Sequence, residues 1–173
     1  MNKRIHLTAC LLSGAFFAGL SSSAWAEPDF TFQSPPAVVV WSQTDTYRDV
    51  EAVDEVQSRF EQRVFKQISA FFGEAAKSKL TDEETLYIEV TNLDLAGDVR
   101  FRPGVTRELR ILDDLTPPRI TFSYKMMKGE QVLKQGDEKL SDINYLNSVI
   151  GPARDRPFAY ENQLIKNWVK KTL

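Results

Sequence analysis

Histidine and cysteine are almost missing from this chain of 173 residues. The single histidine is His6 and the single cysteine is Cys10. From residue 27 onward there is neither. A Ser-His-Asp or Cys-His nucleophile system cannot be built from that stretch. Neither can a zinc site of the usual His/Cys type, nor a c-type haem or iron–sulfur attachment. Disulfides are excluded there as well, so stability must come from an ordinary core. A stretch of about 150 residues is long enough to bury one. No phosphate loop, dinucleotide fingerprint or EF-hand spacing is present. No internal repeat or low-complexity tract is visible.

The two rare residues lie in a segment of its own kind. Lys3 and Arg4 precede an apolar stretch over residues 7–20, and Ser21 to Ser23 lead into Ala24-Trp25-Ala26. This is the order of a secretory signal, with an A-x-A cleavage site. The apolar stretch falls short of the roughly 20 residues that span a bilayer. Leu7-Thr8-Ala9-Cys10 resembles a lipoprotein box, but a lipoprotein signal carries its apolar stretch before the cysteine, and here most of it follows. The expectation is a cleavable signal peptide over 1–26, removed after Ala26. No other segment is apolar enough to cross a membrane.

Concentrated basic charge is also lacking. Of 22 basic residues two fall in the signal, leaving 20 against 24 acidic ones, a formal charge of −4. Nucleic acid and anionic membrane both demand a basic face, so neither is expected as the main partner. Only Lys166, Lys170 and Lys171 cluster, where a helix end favours cations.

What is there reads as one α+β domain over 37–173, preceded by an extended arm at 27–36. Residues 37–41 (AVVVW) form a continuous apolar run, the pattern of a strand covered on both faces. Val53, Val56, Phe60, Val64, Ile68, Phe71 and Ala75 recur at helical spacing and predict a long helix over about 50–79. Asp49 is its N-cap candidate, and Gly73 a place for a bend or break. Residues 85–95 alternate as a strand with one buried face. A short strand is expected at 109–112, after a loop at 101–106. Residues 119–127 and 131–140 read as a hairpin closed by Lys128-Gly129-Glu130, with Gly136 a bulge candidate. An irregular stretch or short helix follows at 142–151. Asp155 caps a final helix with Pro157 in its first turn. The order β-α-β-(β)-β-β-α predicts a two-layer sandwich: a mixed sheet of four to five strands, its first two parallel, with both helices on one face.

Several segments together resemble a known family. They are VVVWS followed by YRD, then EVTNLDLAGD, the LRIL…PPRI stretch, LSD, and YE…W near the C-terminus. The chain resembles the uncharacterised proteobacterial family called domain of unknown function 3016, over roughly residues 38–169. The resemblance implies an exported protein of a Gram-negative bacterium, hence a periplasmic one, and adds no activity.

Three constellations carry candidate chemistry. Asp94, Asp98, Asp113, Asp114, Asp137 and Asp142 stand at strand ends. Converging, they would supply oxygen ligands for Ca²⁺ or Mg²⁺, or opposed carboxylates for glycoside hydrolysis. Aspartate at such places also forms turns and caps, the role expected of most of them. No catalytic residue, metal or cofactor is assigned. Second, Arg110 and Arg119 lie beside apolar strand residues, with Asp94, Asp142 and Glu161 as partners for a bidentate guanidinium. Asp94, Asp98, Arg110, Arg119, Asp142 and Glu161 are thus the candidates for a network that pins the final helix to the sheet or grips an anionic ligand. Third, Trp41, Tyr87, Tyr124, Tyr145 and Tyr160 would form a glycan or partner surface if exposed, and are core if buried, the expected outcome. The function expected is a non-enzymatic binding or scaffold module of the cell envelope, its partner an envelope protein or a small ligand. The alternatives are a carboxylate-based hydrolase, with or without a hard divalent cation, and a purely structural or chaperone-like protein.

Overall fold

A computed structural model describes residues 28–101, 104 and 106–173. The signal-peptide reading lies outside the described residues. The elements are β1 (Phe30–Ser34), β2 (Ala37–Trp41), α1 (Gln57–Ala76), β3 (Glu84–Asp94), β4 (Asp98–Phe101), β5 (Glu108–Ile111), β6 (Arg119–Lys128), β7 (Gln131–Ser141), α2 (Tyr145–Ser148) and α3 (Ala159–Thr172), with 3-10 turns at Thr44–Thr46 and Gly151–Asp155. Five strands form one sheet in the order β1-β2-β3-β6-β7, and β4 pairs β5 in a separate hairpin. β2 and β3 are parallel, joined through α1. The other neighbours are antiparallel. This is the expected α+β architecture.

One face of the sheet carries the core. Ala37, Val39, Leu86, Ile88, Val90 and Phe122 are buried there beneath α1 and α3. The helical stripe of α1 supplies Phe60, Val64, Phe65, Ile68 and Phe72. α3 supplies Leu164, Ile165, Trp168 and Val169. Burying a side chain of this size contributes about 1.5–3 kcal/mol. Aromatic rings lock the layers edge to face: Phe122 lies 4.8 Å and Phe72 6.0 Å from Trp168, centroid to centroid. Trp41, Tyr124, Tyr145 and Tyr160 are buried, and only Tyr87 is half-exposed, so four of the five aromatics are interior.

Several expectations need correction. The arm is a strand, since β1 pairs with β2 across a cis Pro35–Pro36 turn. β2 is covered on one face only; Val38 and Val40 are half-exposed, because both helices lie on the same side. α1 begins at Gln57, not near 50. Its N-cap is Val56, and Asp49 sits in the left-handed region at φ 55° within the preceding loop. Val56 is 58% exposed. α1 runs unbroken through Gly73, where a Cβ would lie 2.1 Å from the Ser34 carbonyl oxygen. Glycine there lets the helix touch β1. In the β6–β7 pair the bulge falls around Leu133, opposite Met126 and Met127, rather than at Gly136. Gly136 instead makes room for the Tyr124 ring, 3.1 Å from where its Cβ would stand. β4 reaches Phe101, shortening the expected loop. Asp155 ends a 3-10 turn, and α3 starts later, with Phe158 at its N-cap.

Candidate functional site

β3 leaves the sheet at Asp94, and Leu95, Ala96 and Gly97 carry the chain into β4. Gly97 has φ +72°, and a Cβ there would meet the Ile111 carbonyl oxygen at 2.3 Å. Only glycine lets the β4–β5 hairpin close this tightly. The turn leaves backbone carbonyls without strand partners, and Arg110 on β5 satisfies them. Its Nη1 donates to the carbonyls of Gly97 at 2.8 Å and Ala96 at 3.5 Å. Its Nη2 donates to the carbonyls of Asp49 at 2.6 Å and Glu51 at 3.1 Å. One guanidinium thus joins the β3 exit to the loop before α1, doing for irregular backbone what a ladder does for strands. Burial lowers the Arg110 pKa, opposed by the charges of Asp49, Glu161, Glu51 and Asp98.

α3 is tied to the same turn. Glu161, in its first turn, is 2% exposed and accepts a hydrogen bond from the Ala96 backbone N–H at 2.8 Å. Burial pushes this carboxyl up, opposed by the Ala96 bond, its own backbone N–H and Arg110. A carboxyl near a helix N-terminus also meets the positive end of the helix dipole.

Beside this junction opens a cleft of about 270 Å³. Its apolar walls are Phe60 of α1, Leu95 and Ala96 after β3, Leu112 after β5, and Phe158 and Ala159 at the start of α3. Arg63, Arg110, Arg154 and Arg156 line it too, with Tyr160 and Glu161. Arg63 lies 5.2 Å from the Phe60 ring centroid and 5.6 Å from that of Phe158, and pairs with Glu55. Arg154 Nε donates to the Tyr160 hydroxyl at 3.1 Å. Arg156 is exposed. Phe158 has φ 53°, a left-handed conformation that is a true outlier for a bulky residue. It is held by the Phe60 ring, 6.4 Å away, and by Arg63. Strain of this kind costs about 1–3 kcal/mol and clusters at functional sites.

The candidate network divides into two parts. Arg119 pairs with Asp94, Nη1 to Oδ2 at 3.5 Å, a single contact and not a bidentate fork. Asp94 is pushed up to about 6, by burial first, then by a hydrogen bond to the Asp49 carboxyl and its charge, against Arg119 and Arg48. Arg110 and Glu161 meet at Ala96 through backbone groups. Asp98 accepts from Arg100 at 2.7 Å. Asp142 belongs to neither part; its Oδ1 accepts from the Asn144 N–H at 2.9 Å, a turn role. Asp113 likewise holds a turn through Leu115 and Thr116, which keeps its carboxyl low. Among the described residues no group of three or more acidic side chains is placed to hold a metal.

Sequence reasoning missed the cleft itself. Phe60, Arg63, Arg154, Arg156 and Phe158 come from segments about 90 residues apart, so no spacing joins them. The one available signal was the dense Arg154-Asp155-Arg156-Pro157-Phe158 run, which leads from the 3-10 turn Gly151–Asp155 to the start of α3.

The chain belongs to the family described as protein of unknown function (DUF3016), whose model matches residues 36–171. No curated protein and no solved structure matches it.

Proposed function

We propose that this DUF3016 protein is an exported, non-enzymatic binding module of the cell envelope, and that its ligand seats in the cleft at the start of α3. The observation that carries this reading is the cleft's construction. Apolar walls are bordered by a few placed polar groups, the composition of small-molecule sites. A strained Phe158 forms one wall, and a residue held in a costly conformation invites a functional reading. Export is supported by residues 1–26, with their charged start, apolar stretch and A-x-A site. A periplasmic location agrees with the resemblance set out above.

The hydrolase alternative needs two carboxyls about 5–9.5 Å apart across a substrate gap. The cleft is lined by one carboxyl, Glu161; Asp94 is engaged by Asp49 and Arg119, and Asp98 and Asp113 by Arg100, outside its lining. Binding is therefore the better reading of this geometry.

The test uses protein produced from its full sequence and recovered from the envelope fraction. Its N-terminus is determined by mass spectrometry, with Glu27 expected first. Backbone amide shifts are then followed against a mixed set of small acids, alcohols and amines. Shifts are expected to converge on Leu112, Phe158, Ala159 and Tyr160. They should vanish in Leu112→Trp, which fills the mouth from a position 41% exposed. Scattered shifts, or an uncleaved chain held in the cytoplasm, would overturn the reading.

A further inference from the structure

We infer that the cleft takes an oxyanion, carboxylate or phosphate, carried on an apolar body of about ring or short-acyl size. This rests on the binding reading above and specifies its ligand.

Charge is the first argument. Four arginines line the cleft, against one carboxyl, Glu161. That carboxyl is fully buried and already occupied by the Ala96 N–H. The chain as a whole is acidic, so a pocket with this local excess of cations is a departure from its surroundings.

The arginines have different duties. Arg110 is spent on four backbone carbonyls and shapes the wall. Arg63 lies against two rings and pairs with Glu55, which fixes it as part of the apolar wall's edge. Arg154 uses Nε on Tyr160 and keeps both terminal amino groups for another acceptor. Arg156, two residues on in the chain, is exposed, as Arg154 is. Arg154 and Arg156 are therefore the pair that meets the anion, and a guanidinium fork matches carboxylate and phosphate geometry. The positive end of α3 adds to the same potential.

The apolar walls supply the second half. Phe60, Leu112 and Phe158 offer no hydrogen bond, so a bare anion would leave them wet. An apolar body covers them. A volume of about 270 Å³, just below the usual range of ligand pockets, limits the ligand to a head group with one ring or a short chain.

The experiment compares four probes by calorimetry on the exported protein: 3-phenylpropionate, 3-phenylpropyl phosphate, neutral 3-phenylpropanol and inorganic phosphate. Both phenyl acids are expected to bind about tenfold or more tighter than the alcohol, as charge-assisted bonds are about twice as strong as neutral ones. Whichever acid binds tighter identifies the natural head group. The double variant Arg154→Gln, Arg156→Gln should bring the acids down toward the alcohol's affinity, costing each acid at least about fivefold more than it costs the alcohol. Alcohol binding as tight as the acids, or a double variant that keeps the preference, would overturn the anion while leaving the cleft as a binding site. Inorganic phosphate binding as tightly as its ester would overturn the apolar body. No binding by any probe, with the Leu112-dependent shifts also absent, would overturn both readings.

Discussion

The buried carboxyl of Glu161 accepts the backbone N–H of Ala96 at 2.8 Å. This single bond crosses 65 residues of chain and fixes the first turn of α3 to the exit of β3. Removing one partner of a buried pair leaves the other unsatisfied, at about 1–3 kcal/mol. Glu161→Ala is expected to lose at least that much stability, with a further loss for the space it vacates. Glu161→Gln keeps a carbonyl acceptor and should lose less than half as much. Urea midpoints of the two variants check this. Equal losses would mean the Ala96 bond is not what holds α3.

Asp94 should make stability depend on pH. In the unfolded chain an aspartate titrates near 4, whereas folding pushes Asp94 up to about 6. The folded protein thus keeps a proton that the unfolded chain releases. The group's contribution is fully present below the unfolded value and is lost as pH rises through about 6. The charges facing it are Asp49, Arg48 and Arg119. Asp94→Asn keeps a donor for the Asp49 carboxylate and carries no charge to be repelled. The variant is expected to gain on the parent between pH 4 and pH 7.5, measured as the difference in urea midpoint. A difference that is the same at both values would contradict the shared proton.

Arg119→Ala should cost little, since its contact is a half-exposed single ion pair. Such pairs contribute about 0–1 kcal/mol. Losing its charge should move the Asp94 titration further up, which NMR of the carboxyl carbon would show.

Gly73 sets helix propensity against packing. Glycine is about 1 kcal/mol worse than alanine inside a helix, so propensity alone favours Gly73→Ala. The Ser34 carbonyl oxygen, 2.1 Å from the new methyl, reverses the sign. Overpacking costs about 1–3 kcal/mol, and a lowered melting temperature is expected. A raised one would show that α1 and β1 can separate without loss.

A buried relay links β2 to α1: Trp41 Nε1 donates to Ser69 Oγ at 3.0 Å, and Ser69 Oγ donates to the Phe65 carbonyl at 2.7 Å. Ser69→Ala strands the indole N–H and should cost about 1–3 kcal/mol. In a Trp41→Phe background the same change should cost clearly less. A double-mutant cycle reads the coupling directly, and a coupling near zero would dismiss the relay.

Much of the fold was legible because it rests on periodicity. Phe60, Val64 and Ile68 repeat at helical spacing, and Leu86, Ile88 and Val90 alternate; past Ile68 the buried residues are Phe72 and Ala76, one position on from the expected Phe71 and Ala75. Each pattern reports one buried face, whatever lies against it. The start of α1 was not legible, since Val53 and Val56 continue the apolar stripe through a loop that Arg110 holds open from 59 and 61 residues away. Arg110 bonds backbone carbonyls, which every residue has, so no acidic partner in the sequence announces it. Asp94 with Arg119, and Glu161 near Arg110, were within reach because unlike charges beside buried strands must be compensated. Asp142 was misplaced for the opposite reason, a turn bond to its near neighbour serving it well.

By itself the sequence determined the chemistry this chain can draw on. Without histidine or cysteine beyond residue 26, what the side chains of residues 27–173 can offer a ligand is carboxyls, guanidiniums, amines, amides, hydroxyls, the thioethers of Met126 and Met127, and aliphatic and aromatic surface. The alternation and helical stripes likewise determined an α+β sandwich, because hydrophobic burial acts on each segment locally. Which of those groups meet was decided only by the tertiary structure. Arg63, Arg154 and Phe158 enter one cleft because α1 and α3 pack on the same face of the sheet. Arg110 reaches them because Gly97 lets a hairpin fold back on the β3 exit. Those are contacts between distant segments, and they exist only once the core has set where the segments lie.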